Sequence, residues 1–234
     1  MIAAHDEADR IGATLDALAA SFPGSERIVA DDASTDGSAE VALRHGAQVI
    51  SRRRSHGKGG NVSAAVESVL DLADAPEGPV FLLCDADLGA SAAELGRLVD
   101  AVEAGECDLA VGAFARRVGG GFGAARGLSR WAIRRCCGAE PIAPLSGQRA
   151  MRGDVLRAVH PFAAGYGMET AMTIDAVRAG FRLREYELEL EHRATGRTPS
   201  GFAHRGRQLL DIARAYISRR RPPGRGGRES ERAR

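Results

Sequence analysis

Asp85 and Asp87 stand one residue apart, directly after the apolar run 80–84. Two carboxylates at the end of a buried strand suit a hard divalent cation shared with a diphosphate, because Mg²⁺ and Mn²⁺ take oxygen donors. Open α/β sheets bind ligands beyond the carboxyl ends of their strands, which is where this pair falls. A second acidic pair, Asp31-Asp32, follows the short apolar run 27–30 and opens the segment Asp-Asp-Ala-Ser-Thr-Asp-Gly-Ser over 31–38. Helix capping by Ser34 or Thr35, with Asp36 near the helix dipole, accounts for part of this segment. Asp31 and Asp32 are left over, placed to accept hydrogen bonds from a base or a ribose.

Lys58 is the only lysine among the 32 Lys and Arg residues. A compact ammonium and a planar guanidinium are not interchangeable, so a single lysine in an arginine-biased chain marks a position where the difference could matter. It sits in Gly57-Lys58-Gly59-Gly60, at the head of a helical pattern in which Val62, Ala65, Val66, Val69 and Leu70 share one face. Backbone N–H groups at a helix start favour phosphate, although the spacing is not that of a Walker loop. Glu169 heads another predicted helix, over 166–179, either as a dipole charge or as a base for an acceptor hydroxyl. His192 ends an alternating segment, either solvated or as a metal ligand.

The elements that must position these residues alternate. Strands are predicted over 1–4, 27–30, 47–51, 80–84 and 109–111. Helices are predicted from about Asp36, after Lys58, and around Leu95, Leu98, Val99 and Val102. That rhythm argues for a parallel α/β sheet. The first strand has almost nothing before it and reads as cut short. Beyond Phe114 the rhythm breaks: 116–127 is rich in Gly and Arg and reads as a mobile loop. A helix over 128–137, a half-exposed strand over 182–191 and a final helix over 202–218 follow. On that strand Tyr186, Leu188 and Leu190 alternate with glutamates.

Composition narrows the class. The chain has 234 residues, a formal net charge of +1 and 44% hydrophobic residues, enough for one large globular domain. No apolar run approaches the ~20 residues that span a bilayer. Asp6, Glu7 and Asp9 exclude a signal peptide at this N-terminus. The four cysteines lack C-x-x-C spacing, so neither a zinc site nor a disulfide framework is indicated. A cytoplasmic protein is expected. Residues 219–234, with seven Arg and two Glu, read as a disordered basic tail following a domain over 1–218. That tail is either simply solvated or in peripheral contact with an anionic surface such as the inner membrane face. No nucleic-acid partner is expected.

Taken in order, the motifs resemble the family 2 glycosyltransferases of the GT-A fold. The family's P-A-x-N-E opening corresponds to Ala3-Ala4-His5-Asp6-Glu7, and its D-D-G-S-T-D-G-[ST] motif to residues 31–38. Its N-x-G-K-G-x-A stretch corresponds to residues 54–60, and its D-[AS]-D-L metal motif to Asp85-Ala86-Asp87-Leu88. The second half looks most like the polyprenol-phosphate sugar synthases, whose G-S-R-x-x-x-G-G loop and S-G-F-R-A segment match residues 112–121 and Ser146-Gly147-Gln148-Arg149-Ala150. Two positions depart from those enzymes: the Asp that usually precedes the second segment is replaced around Ala143, and the Gln after D-A-D-L is Gly89. Tyr166-Gly167-Met168-Glu169 followed by His192 is similar instead to glucosyl-3-phosphoglycerate synthases.

The resemblance implies a GT-A nucleotide-diphospho-sugar transferase fold, a mostly parallel Rossmann-like sheet flanked by helices. It implies metal-dependent transfer of a hexose from a nucleoside-diphosphate sugar to a phosphorylated acceptor, a polyprenyl phosphate or a small molecule, with Mg²⁺ or Mn²⁺. Asp85, Asp87 and His192 would hold the metal. Ala3, Ala4, His5, Glu7, Asp31, Asp32, Lys58 and Asp85 would line the donor nucleotide. Asp87 and Glu169 would be catalytic. Arg116, Arg117, Arg126, Ser146, Gly147 and Arg149 would meet the acceptor. Inversion and retention both stay open. Two rival classes remain: a nucleotidyltransferase, disfavoured by the acidic His5-Asp6-Glu7 where a basic phosphate loop belongs, and a non-catalytic nucleotide-sugar-binding domain.

Overall fold

In the computed structural model, which describes residues 1–71, 78–115, 123–191 and 199–220, the short apolar runs pair into one seven-stranded sheet. β1 (Ile2–Ala4), β2 (Ile28–Asp31), β3 (Gln48–Ser51), β4 (Phe81–Asp85), β5 (Leu109–Phe114), β6 (Arg149–Met151) and β7 (Leu183–Leu188) lie in the order β3-β2-β1-β4-β6-β5-β7. β1 is only three residues long, yet it pairs in parallel with β2 on one side and β4 on the other. β2 with β3 and β5 with β7 are also parallel. Only β6 runs against its neighbours β4 and β5.

The period-2 alternation of strand side chains divides the core into two layers. Ile2, Val29, Cys84, Ala110 and Tyr186 face one side, covered by α1 (Ile11–Ser21), α2 (Ser38–Arg44), a 3₁₀ segment Gly89–Leu95 and α4 (Gly96–Glu103). Ile28, Ala30, Phe81, Leu83, Leu109 and Val111 face the other, against α3 (Gly57–Glu67), α6 (Gly153–Val159) and α7 (Met168–Arg178). α5 (Gly123–Cys137) and α8 (Pro199–Arg219) pack on each other and on α7. Among the described residues no helix is long and apolar enough to cross a membrane.

Several expectations need correction. Residues 123–127 are not loop: α5 already includes them, with Ala125 buried. β5 runs to Phe114, three residues further than predicted. Neither Ser34 nor Thr35 is the N-cap of α2. Gly37 is, at φ 91°, and the Asp36 carboxylate accepts the Ser38 N–H at 3.0 Å. Arg219 belongs to α8, where its guanidinium chelates Asp175. The rest of the basic tail, 221–234, lies outside the described residues.

One turn controls how α8 seats. Gly165, at φ +58°, has no room for a Cβ, which would strike the Asp211 carboxylate of α8. That carboxylate accepts the Tyr166 N–H at 3.2 Å. Gly165→Ala therefore meets both a left-handed backbone penalty and a broken helix contact. It is expected to cost about 2–3 kcal/mol, lowering Tm by roughly 5–10 °C in a thermal melt.

Candidate active site

Three strands end at one edge of the sheet and carry the acidic motifs with them. β1 passes into His5, β2 ends at Asp31 and β4 at Asp85. The loops are tied across that edge: the Asp32 N–H donates to the Ala4 carbonyl at 3.0 Å, and the Ala86 N–H to the Ala3 carbonyl at 3.0 Å. The first turn of α1 supports the second acidic motif from beneath. Arg10 donates to the Asp87 carbonyl at 2.9 Å, and the Thr14 hydroxyl to the Ala86 carbonyl at 2.7 Å.

The reversed direction of β6 brings a distant segment to the same place. Arg149 pairs with Leu83, so the preceding residues 146–148 arrive at the carboxyl end of β4. There buried Gln148 grips Asp85 twice: its Oε1 accepts the Asp85 N–H at 3.1 Å, and its Nε2 donates to Asp85 Oδ2 at 2.9 Å. The other oxygen, Oδ1, faces Lys58 Nζ at 2.6 Å, and the same ammonium lies 2.9 Å from Glu169 Oε1. A side chain at position 147 would run into Lys58 Nζ and both Asp85 oxygens, so Gly147 is what lets the three approach. Burial pulls the Lys58 pKa down. The charges and hydrogen bonds of Asp85 and Glu169 outweigh it, and the net shift is upward. Neighbouring Cys84 is no nucleophile: burial pushes its thiol up to about 12.

Asp32 serves the fold as well as the edge. Its carboxylate accepts the Ser55 hydroxyl at 2.7 Å and the His56 and Gly57 N–H groups at 2.8 and 3.0 Å. An anion is thereby fixed at the N-terminus of α3, the end that carries Lys58. Asp31 Oδ1 accepts the Ser34 N–H at 3.3 Å. Residues 5–8 are laced to 34–38: the Glu7 N–H donates to Ser38 Oγ at 2.8 Å, the Thr35 N–H to Asp6 Oδ1 at 2.8 Å, and His5 Nδ1 contacts the Asp32 carbonyl at 2.9 Å. Ala33 holds φ 61°, a left-handed conformation that costs an L-residue energy and that the glycine of the related motif adopts freely.

The remaining candidates separate. Gly147 joins the cluster and Ser146 is buried beside it. Arg149, expected to meet the acceptor, is enclosed instead: its Nε donates to the Ser146 carbonyl at 2.9 Å and its Nη1 to Thr173 Oγ1 at 3.0 Å. Burial draws its guanidinium down to about 10, against the fields of Glu169 and Glu185. Arg126 is half-buried near the start of α5. Arg116, Arg117 and His192 lie outside the described residues. Among the described residues no three His, Cys, Asp or Glu side chains form a metal cluster. Gln148, Arg10 and Thr14 were not foreseen. The polar Gln148 in the S-G-Q-R-A segment was the one available signal.

An α/β sheet with paired acids after its fourth strand, and a lysine linking the first of them to a helix-start glutamate, has the architecture of a nucleotide-sugar transferase of the GT-A type. The chain belongs to glycosyl transferase family 2, whose model matches residues 1–170, and it is a glycosyltransferase. It is 29% identical to an undecaprenyl-phosphate mannosyltransferase of Micrococcus luteus, over 94% of each chain. It is 30% identical to a glucosyl-3-phosphoglycerate synthase of Mycolicibacterium paratuberculosis, over 75% of this chain and 58% of that one. Among solved structures it resembles glucosyl-3-phosphoglycerate synthase from Mycobacterium tuberculosis in complex with phosphoglyceric acid, with a TM-score of 0.75, 26% identity and coverage of 96% and 80%. The same enzyme with Mg²⁺ and UDP gives 0.75, 26%, and 96% and 79%.

Proposed function

We propose that the chain transfers a hexose from a nucleoside-diphosphate sugar to a phosphorylated acceptor, with Mg²⁺ or Mn²⁺ as cofactor. The observation that carries this reading is the Lys58–Asp85–Glu169 cluster at the carboxyl edge of the sheet, alongside Asp87 and the 31–38 loop. Asp85 and Asp87 offer the hard oxygen donors such a cation takes, so the residues present fit it. The bound cation supplies charge neutralisation for the leaving diphosphate. His5 and Asp31 line the nucleoside side, and Lys58 keeps Asp85 oriented.

Glu169 is ion-paired with Lys58, which holds its carboxylate in place to accept a proton from an acceptor hydroxyl. An acceptor that attacks through a phosphate oxygen needs no base. Arg126, with Arg116 and Arg117, would then bind that phosphate. The basic segment 221–234 adds peripheral contact with an anionic membrane face.

Thermal-shift screening of UDP-, GDP- and CDP-sugars with Mn²⁺, followed by product analysis with polyprenyl phosphate and phosphoglycerate, tests the reading. Preference for a nucleoside triphosphate, or donor binding without turnover with either acceptor, would overturn it. The grip of Gln148 on Asp85 gives a narrower expectation. Gln148→Leu removes both bonds at similar volume, and Mn²⁺ affinity in the presence of UDP is expected to fall about 10–100-fold, read by titrating the free Mn²⁺ signal in electron paramagnetic resonance.

A further inference from the structure

α5 and α8 leave an outward face that the transfer chemistry does not use. On α5, Arg130 and Arg134 stand one helical turn apart, both exposed, and form a basic stripe. Trp131 stands beside them, 44% exposed, its ring 4.7 Å from that of Tyr216 on α8. On α8, Leu210 and Ile217 are seven residues apart and so share a side of the helix, 59% and 56% exposed. Arg207 and Arg214 flank them, both exposed.

The two helices contain a single carboxylate, Asp211. It is buried, holding the Tyr166 N–H and one nitrogen of Arg214, whose side chain is still 76% exposed. Glu140, just past α5, lies 3.7 Å from Arg134 as an exposed pair, too solvated to neutralise the stripe.

We propose that the α5–α8 face docks on an anionic bilayer. Large apolar side chains standing in water between arginines match a helix lying in a membrane interface, with the apolar residues in the acyl boundary. Trp and Tyr favour that depth. The arginine stems lie along apolar surface while their guanidinium groups reach lipid phosphates. A second copy of the chain fits less well: a two-fold contact would set Arg130, Arg134 and Arg214 against their own copies with only the peripheral Glu140 carboxylate to answer. Nucleic acid would pair the arginines and leave Leu210 and Ile217 in water. The basic segment 221–234 continues directly from α8 and adds charge of the same sign. The inner side of α8, through Asp211, holds Tyr166, three residues before Glu169, so a docked bilayer lies about one helix away from the site. The surface stands independently of which acceptor the site takes.

Trp131 is the only tryptophan in the chain, so its emission reports this face alone. The full-length protein should co-sediment with phosphatidylglycerol vesicles and not with pure phosphatidylcholine. A blue shift of Trp131 should accompany binding, and added salt should weaken it. Leu210→Glu with Ile217→Glu should weaken vesicle binding about tenfold or more with an unchanged melting curve. Sedimentation without a tryptophan shift would assign the contact to the tail and overturn the proposal. So would wild-type vesicle binding by the double variant, or a shift that grows with protein concentration in the absence of lipid.

Discussion

Asp87→Ala is expected to lower sugar transfer by about 10³-fold or more, an amount typical of losing a principal electrostatic contact to a leaving group. Both oxygens of Asp85 already have partners, Lys58 on one and Gln148 on the other. Asp87 is the second acid of the pair that would share a cation on the diphosphate with Asp85. Arg10 and Thr14 hold the carbonyls of residues 87 and 86, which anchors the backbone of the turn from the α1 side. The variant should fold normally and melt within a few degrees of the parent, which separates lost chemistry from lost structure. Steady-state rates with Mn²⁺, compared with rates in EDTA, provide the check. Full activity in EDTA would sink the metal assignment for both acids.

The sequence exposed the acidic motifs because each follows an apolar run that can only be a strand. It also marked Lys58, through composition, but not the partners of Lys58. Asp85 and Glu169 come from separate segments, and nothing in local spacing says that a lysine at the head of α3 will bridge them. β6 was invisible for a different reason: Arg149-Ala150-Met151 is too short to show a period and carries no β-branched residue. Because β6 alone sets residues 146–148 beside β4, missing it meant missing the role of Gln148. The three donors that the Asp32 carboxylate holds lie in the 55–57 turn, across a strand and a loop, so local spacing carries no sign of this structural role beside the expected nucleotide contact. Arg149 misled through its charge, since an arginine in a motif suggests a phosphate and the fold encloses this one. The start of α5 was misread because glycine and arginine at 116–127 suggest a loop, while Ala124 and Ala125 suit a helix that packing then completes.

Lys58→Ala should be the most damaging single substitution for stability. It leaves buried Glu169 and partly buried Asp85 facing each other without the cation between them, and breaking such a pair from one side costs about 3–5 kcal/mol. Lys58→Arg should not rescue it. The space where a Cβ at 147 would sit is already taken by the ammonium and the Asp85 oxygens, so the broader guanidinium has to push towards the 147 backbone or pull away from one acid. Transfer by the Arg variant is expected to fall about 10²-fold. The pH dependence follows from the upward shift of the Lys58 pKa. A lysine whose folded pKa lies above its unfolded value of about 10.4 contributes its full stability below that value. The contribution is lost only as pH rises through the folded pKa. The stability difference between the parent and Lys58→Ala attributable to Lys58 ionisation should therefore be flat from pH 6 to 9 in urea unfolding, and shrink only in stronger alkali. A gap that closes between pH 6 and 9, or an Arg variant with parental rates, would show that the ammonium is not the link between Asp85 and Glu169.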